Sequence, residues 1–362
     1  MKLVVPQETL SKALSNVSRI ANSRGSLPIL NNILIRAENN QLQLISTNLE
    51  IFISETLTAK IDRDGTVCVP ASTLNDYIHT LPKTNISLTA EGNLLEITAG
   101  DYNSRINVVQ TDDFPSVPSL ESADKINLET NLLKTAVSQV VGVASNDTTR
   151  PILTGIYLYS ANKKIFLVAT DGYRLAEKKL CEHNGKALSV IIPASTLSEI
   201  CRIIEDDGKV EVNISDEQIS FTYKKVVLNS RVIDGNYIKY QSLIPTKTAN
   251  KAILNKSDFV QAMKSVDIFA RESAGTIKIK LDEKNQKLQI DSLQSEIGVN
   301  DVAIDAEVIG DETVNLNSKY LLAALGQVDG DTVSFGFSDK VTPILVTGNQ
   351  KDYKHIIMPI KS

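Results

Sequence analysis

A chain of 362 residues with 42% hydrophobic and 22% charged residues is long for one core and points to two or three domains. Its formal net charge of -5 argues against a compact basic DNA-binding module, while leaving room for a local basic surface on an acidic body. No apolar run approaches the ~18 residues of a membrane span, the start MKLVVPQETLS lacks a signal-peptide pattern, and three scattered cysteines fit reduced thiols, so a cytoplasmic protein without a membrane partner is expected.

The first predicted element is a helix, because Leu10, Leu14, Val17 and Ala21 recur at the spacing of one helix face. LPIL follows from Leu27, then LQLISTNLEIFISETL (42–57) reads as alternating strand segments, and VPASTLNDYI (69–78) as a second helix. A Pro- and Ser-containing link spans Ser116 to Lys125. Beyond it the pattern returns at an offset of 123 residues: Leu133, Val137, Val140 and Ala144, RPIL from Arg150, and IPASTLSEIC (192–201). KIFLVAT (164–170) runs into VATDGYRLA (168–176), whose Asp-Gly pair asks for a tight turn. The first copy holds Thr47-Asn48-Leu49-Glu50 where the second holds Thr170-Asp171-Gly172-Tyr173. Glycine and the following Arg174 belong to the middle copy alone, since neither recurs around Asp291-Ser292-Leu293. After a second link, Ser242 to Lys251, a third stripe appears in Phe259, Met263, Val266 and Ala270, followed by KLQIDSLQ (287–294) and a weaker helix match, NSKYLLAA (317–324). Ser104-Arg105 also recurs as Ser230-Arg231. The chain is therefore expected to be α+β, with three repeated domains at 1–120, 121–247 and 248–362, each packing two helices on antiparallel strands.

Opposite the first apolar stripe stand Lys12 and Arg19, seven residues apart on one exposed face. The repetition of charge is partial: Thr135 and Gly142 replace them in the second copy, with Lys134 to one side, and Gln261 and Ile268 in the third, with Lys264 and Arg271 nearby. Arg202 and Lys319 lie on the second helices. Such mildly basic faces suit weak, sequence-blind phosphate contact. The absence of Trp and the 5% aromatic content argue against base stacking on single strands.

Catalytic machinery is not visible. His79, His183 and His355 form no metal-ligand spacing, and Cys181-x-His183 lacks a partner pair. Phosphate-loop and nucleophile-elbow motifs are missing, and EDDGK (205–209) and VDGDTV (328–333) read as hairpin turns rather than calcium loops. No catalytic residue, metal or cofactor is expected. A protein-only repeat scaffold and an enzyme with a site at the Asp171 loop remain as alternatives.

The threefold unit, ATDGYRLA, the RPIL lead-in and the terminal IIMPIKS resemble the bacterial sliding clamps, the beta subunits of DNA polymerase III, over the whole chain. The resemblance implies a ring-shaped head-to-tail homodimer of six domains, with helices lining the hole around double-stranded DNA. A partner-peptide pocket is implied as well. Carried over by motif, it comprises Leu153, Thr170, Gly172, Tyr173, Arg174, Leu175, Ile238, Tyr240, Leu243, Pro343, Ile344, Ile356, Met358, Pro359 and Ile360. Asp171 shapes the turn, and Gly172, Arg174 and Leu175 are expected to face the guest. Many relatives read Phe-Pro-Asp-Tyr where this chain has Tyr237-Ile238-Lys239-Tyr240, and an arginine where it has Ser242. The family's loop arginine matches Arg24, and Arg150 precedes the second copy's PIL, so the DNA-facing set is Lys12, Arg19, Arg24, Lys134, Arg150, Arg202, Lys264 and Arg271. Implied partners are the polymerase catalytic subunit, the clamp loader, and other replication and repair proteins with a clamp-binding peptide.

Overall fold

Each copy of the repeat folds as strand, helix, strands, helix, strands, as seen in a computed structural model that describes residues 1–21, 27–116, 124–293, 298–350 and 352–361. The first copy comprises β1 (Lys2–Pro6), α1 (Gln7–Ala21), β2 (Asn32–Glu38), β3 (Gln41–Thr47), β4 (Ile51–Thr58), β5 (Lys60–Arg63), β6 (Gly65–Pro70), α2 (Ala71–Thr80), β7 (Asn85–Glu91), β8 (Leu94–Ala99) and β9 (Tyr102–Asn107). The second comprises β10 (Asp124–Glu129), α3 (Thr130–Val141), the short α4 (Pro151–Thr154), β11 (Gly155–Ala161), β12 (Lys164–Thr170), β13 (Arg174–Glu182), β14 (Ser189–Pro193), α5 (Ala194–Ile203), β15 (Lys209–Ile214), β16 (Gln218–Tyr223) and β17 (Val226–Arg231). The third comprises β18 (Asn250–Asn255), α6 (Lys256–Ala270), β19 (Thr276–Asp282), β20 (Lys287–Ser292), β21 (Asp301–Asp305), β22 (Glu307–Ile309), β23 (Thr313–Asn317), α7 (Ser318–Gln327), β24 (Thr332–Phe337), β25 (Ile344–Thr347) and β26 (Tyr353–Ile357).

The apolar stripes are the buried helix faces: Leu10, Leu14, Val17 and Ala21 in the first copy, and Phe259, Met263, Val266 and Ala270 in the third, are fully buried. In the second copy Leu133, Val137 and Val140 are buried, but α3 ends at Val141 and Ala144 is half-buried in the turn beyond it. The weaker third match at the second helix has a local cause. Copies one and two enter that helix through Pro70 and Pro193, whereas the side chain of Asn317 accepts a hydrogen bond from Lys319 N at 3.0 Å to cap α7. An N-cap of this kind is worth ~1 kcal/mol, so the third copy reaches the same helix by different chemistry.

The two largest sheets cross the repeat boundaries. An eight-stranded sheet runs β10-β15-β16-β17-β4-β3-β2-β6, and a nine-stranded one β14-β11-β12-β13-β26-β25-β24-β18-β22. The remaining sheets hold five strands, β5-β1-β7-β8-β9, and four, β21-β20-β19-β23. Accordingly the chain divides into two compact units, one of Met1–Asn131 with Glu199–Val232, the other of Leu132–Ser198 with Ile233–Ser362. In the first unit α1 packs on α2, β3 and β4; in the second α6 packs on α7, β20 and β21.

EDDGK and VDGDTV are not hairpin turns. They connect α5 to β15 and α7 to β24, the place in each copy where the second helix returns to a strand.

Candidate functional site

In the second unit, strand register sorts the nine-stranded sheet into two faces. Antiparallel pairing places Val168 opposite Glu177 and Tyr157, Thr170 opposite Leu175, Leu175 opposite Ile356, and Ile356 opposite Leu345. These side chains share one face. Val168, Leu175, Ile356 and Tyr240 form a buried cluster there, with Tyr157, Tyr159, Tyr237, Ile244 and Leu345 packed against it. The link after β17 thus covers this sheet face, which is why β12 is buried on both sides from Leu167 to Thr170. Around the cluster Tyr173, Ile238 and Leu243 are exposed by 60%, 40% and 39%. Met358, Pro359 and Ile360 are half-buried beside it: Met358 N donates to Tyr173 O and Ile360 N to Asn315 O, both at 2.8 Å.

The turn before β13 is built from its own side chains. Thr170 Oγ1 accepts from Gly172 N at 3.0 Å and donates to Arg174 O at 2.6 Å. Asp171 Oδ1 accepts from the backbone N–H groups of Tyr173 (2.9 Å) and Arg174 (3.0 Å). The first copy repeats this bonding: Thr47 Oγ1 accepts from Leu49 N, and Asn48 Oδ1 from Glu50 N and Ile51 N. Both turns need a left-handed residue, Gly172 at φ 94 and Leu49 at φ 76. The glycine therefore relieves a strain that the first copy tolerates.

Arg174 does not face outward with Leu175. Strand alternation turns it to the helix-covered side. Its Nε bonds Asp171 Oδ2 at 3.1 Å, Nη2 donates to Gly142 O at 2.8 Å, and the guanidinium lies 4.8 Å from the Tyr320 ring centre. Ile344 belongs to the same hidden side, paired with Ile357, while its neighbour Leu345 reaches the outer cluster. Leu153 is buried in α4, and Pro343 is half-buried just before β25. Sequence reasoning missed Tyr157, Tyr159, Val168, Glu177 and Lys354. Stepping by two along β13 and β26 from Leu175 and Ile356 reaches Glu177 and Lys354.

The basic residues are not bare. Lys12 pairs with Glu205, and Glu199 is shared by Arg19 (3.6 Å) and Arg202 (3.0 Å). Burial raises the Glu199 carboxyl, which the Arg19 charge opposes. Arg150 pairs with Asp147 at 3.0 Å, and Arg271 stands 3.9 Å from Asp267. Lys134 and Lys264 are exposed on α3 and α6, and Arg24 lies outside the described residues. Among the described residues, no three His, Cys, Asp or Glu side chains group so as to hold a metal ion, and no helix is long and apolar enough to cross a membrane.

Three family models match in succession: the N-terminal domain of the DNA polymerase III beta subunit over 1–118, its central domain over 127–239 and its C-terminal domain over 241–361. The beta sliding clamp of Caulobacter vibrioides is 30% identical over 372 residues, covering 100% of both chains. The chain belongs to the DNA polymerase III beta subunit family. The beta sliding clamp of Bacillus subtilis is 29% identical over 378 residues, again with 100% of both chains covered. Among solved structures, the Bacillus subtilis sliding clamp superposes with a TM-score of 0.95 at 27% identity, covering 100% of this chain and 99% of that one. The sliding clamp of Bartonella birtlesii bound to griselimycin gives 0.94 at 29% identity, covering 100% of both. Sliding clamps are non-catalytic processivity subunits that partner DNA, the polymerase and a second copy of themselves, and this chain is one of them. An enzyme at the Asp171 loop is disfavoured chemically too, because both carboxylate oxygens are engaged by the turn and by Arg174.

Proposed function

We propose that the outer face of the nine-stranded sheet is the pocket through which this clamp holds its partners, and that its helices carry the DNA-facing side of a two-copy ring. The observation behind the pocket is an already dry sheet face, built on Val168, Leu175, Tyr240 and Ile356, flanked by the exposed apolar residues Tyr173, Ile238 and Leu243. A short linear peptide with Leu and Phe side chains suits such walls, and backbone groups of the 358–360 tail can fix its direction. The guests are the polymerase catalytic subunit, the clamp loader and other replication and repair proteins of the cytoplasm. Thr170, Gly172, Tyr173, Leu175, Ile238, Tyr240, Leu243, Ile356, Met358, Pro359 and Ile360 form the wall or its support. Arg174, Ile344, Leu153 and Pro343 act from behind or beside it.

Ring closure follows a rule set by the sheets. The last strand of copy two, β17, pairs with β4 of copy one, and the last strand of copy three, β26, pairs with β13 of copy two. By the same rule β9 pairs with β21, which end the five- and four-stranded sheets. Supplied by two chains head to tail, they complete a sheet of the nine-stranded kind and close a ring. Its domains run over 1–120, 121–247 and 248–362. Lys12, Arg19, Arg24, Lys134, Arg150, Arg202, Lys264 and Arg271 meet phosphates only weakly, in keeping with retention by topology rather than grip.

Light scattering is expected to give twice the 39.6 kDa chain mass. Loaded protein is expected to stay on nicked circular DNA and run off linear DNA; equal loss from both refutes the clamp reading. Deleting residues 358–362 is expected to abolish peptide binding in fluorescence anisotropy while the dimer mass persists, and unchanged affinity refutes the pocket.

A further inference from the structure

Beneath the pocket lies a charged group that the wall does not obviously need. Glu177 sits on β13, on the same face as Leu175, and is only 6% exposed. Its Oε1 accepts from Lys354 Nζ at 2.9 Å and its Oε2 from Tyr240 OH at 2.6 Å, with the Tyr159 hydroxyl 3.4 Å from Oε2. Tyr159 and Tyr240 hydroxyls are themselves 2.6 Å apart. A carboxylate can only accept, and each phenol has one proton. Tyr240 therefore donates to Glu177, and Tyr159 donates to Tyr240. Burial, reinforced by the neighbouring Glu177, pushes the Tyr240 phenol far up, so it remains a donor at neutral pH.

The link these groups hold has no regular structure from 232 to 240. Two tyrosines fasten it to the sheet. Tyr237 stacks on Tyr157 with ring centres 4.9 Å apart, and the wholly buried Tyr240 is tied to Glu177. Directly after it, Leu243 N donates to Tyr240 O at 2.8 Å in a single 3-10 turn. Ile238 lies between the two anchors and Leu243 just past the second; these are the link's exposed apolar residues at the pocket. A buried carboxylate with its cation is seldom more stabilising than well-packed apolar side chains. What it adds here is direction: the Tyr240 hydroxyl has one place to go.

We propose that Glu177 is a positioning residue for partner recognition: it pins Tyr240, and so sets where Ile238 and Leu243 stand to meet the guest. This rests on the pocket reading above. The test measures binding of a fluorescein-labelled peptide ending in Leu and Phe to the full-length dimer by anisotropy and stopped-flow release. Wild type is compared with Glu177→Leu, Glu177→Gln and Tyr240→Phe, alongside unfolding midpoints and dimer mass. Glu177→Leu and Tyr240→Phe are expected to weaken binding about tenfold, mostly through faster release, with the dimer retained. Glu177→Gln still accepts from Tyr240, leaves Lys354 free to hydrate, and is expected to recover binding to within about threefold of wild type. Should Glu177→Leu fail to fold, Tyr240→Phe, which removes one hydroxyl, decides. Wild-type affinity in Tyr240→Phe, or equal loss in Glu177→Gln and Glu177→Leu, overturns the positioning role while wild-type binding keeps the pocket. Absence of wild-type binding overturns the pocket and this inference with it.

Discussion

Replacing Arg174 by alanine distinguishes a residue that braces the site from one that greets a ligand. The guanidinium and its partner carboxylate are each only 16% exposed, so their 3.1 Å contact is weakly screened. Hydrogen bonds to a charged group contribute ~1.5–3 kcal/mol each, and the placement over Tyr320 adds ~0.5–1 kcal/mol. Because these contacts share one side chain they do not add, and a loss of ~2–4 kcal/mol is expected. The turn itself persists, since the backbone donors to Asp171 remain. The loss falls on the junction of the end of α3, the turn and α7. Hydrogen exchange read by mass spectrometry over 164–182 and 353–357 is therefore expected to quicken about 30- to 1,000-fold in Arg174→Ala, the equivalent of that loss. Arg174→Lys is expected to recover less than half of it, because an ammonium lacks the planar fork. Exchange within about threefold of wild type, ~0.6 kcal/mol, refutes the bracing role, and weakened peptide binding in the same variant would return Arg174 to the guest-facing side.

Gly172→Ala is expected to destabilise the protein by ~1–2 kcal/mol in urea unfolding, the cost of a left-handed L residue. The added methyl meets only Arg150 Nη1 at an ordinary 3.5 Å, so a clash contributes nothing, and an unchanged midpoint would show that the turn relaxes out of the left-handed region. Glu199→Gln frees Arg19 and Arg202 from a shared carboxylate. DNA association is expected to tighten and its salt slope to steepen by up to about one phosphate contact; an unaltered slope refutes a DNA-facing pair.

How much of this was legible in the chain depends on sequence distance. The helices were legible because a 3.6-residue period is local, and the repeat fixed their order; α3 alone stopped short of the stripe read for it, before Ala144. The Asp171 turn was legible as a turn, and its kinship with Thr47-Asn48-Leu49 as a repeat, but the left-handed strain at Leu49 shows only in the backbone. The pairing of the basic face of α1 was not legible: Lys12 and Glu205 are 193 positions apart, and nothing in α1 announces an acid from beyond α5. The pocket was read from motif, which collects neighbours in sequence. Motif therefore put Arg174 and Ile344 beside Leu175 and Ile356, whereas strand alternation sends adjacent residues to opposite faces. Glu177 and Tyr240 were brought together by a link that folds back across the sheet, a contact with no local signal.

Alternation on β26 has a second consequence, in acid. Lys354 and Ile356 look outward, while His355 is fully buried on the other face, its Nδ1 2.8 Å from Tyr353 OH and its Nε2 without a partner among the described residues. Burial, with the charge of Arg174 behind it, lowers this imidazole from 6.5 to about 3. The folded state therefore holds His355 neutral where the unfolded chain takes up a proton. Its contribution is complete above pH 6.5 and is lost as pH falls toward 3, at ~1.4 kcal/mol per unit. Between pH 6.5 and 5 that amounts to ~2 kcal/mol. His355→Leu removes the titration, while Tyr353 OH keeps its bond to Gln139 O. Urea unfolding of both proteins at pH 7, 6 and 5 cancels the carboxylates they share. The wild type is expected to lose ~2 kcal/mol relative to the variant across that range, and parallel curves refute the buried neutral imidazole. His355 pairs with Ala176, in the register that joins the third repeat to the second and sets Leu175 opposite Ile356. With its imidazole held down to about 3, His355 stays neutral in the folded protein at pH 5, so the acid effect falls on unfolding alone and peptide affinity at pH 5 is expected to be alike in wild type and His355→Leu.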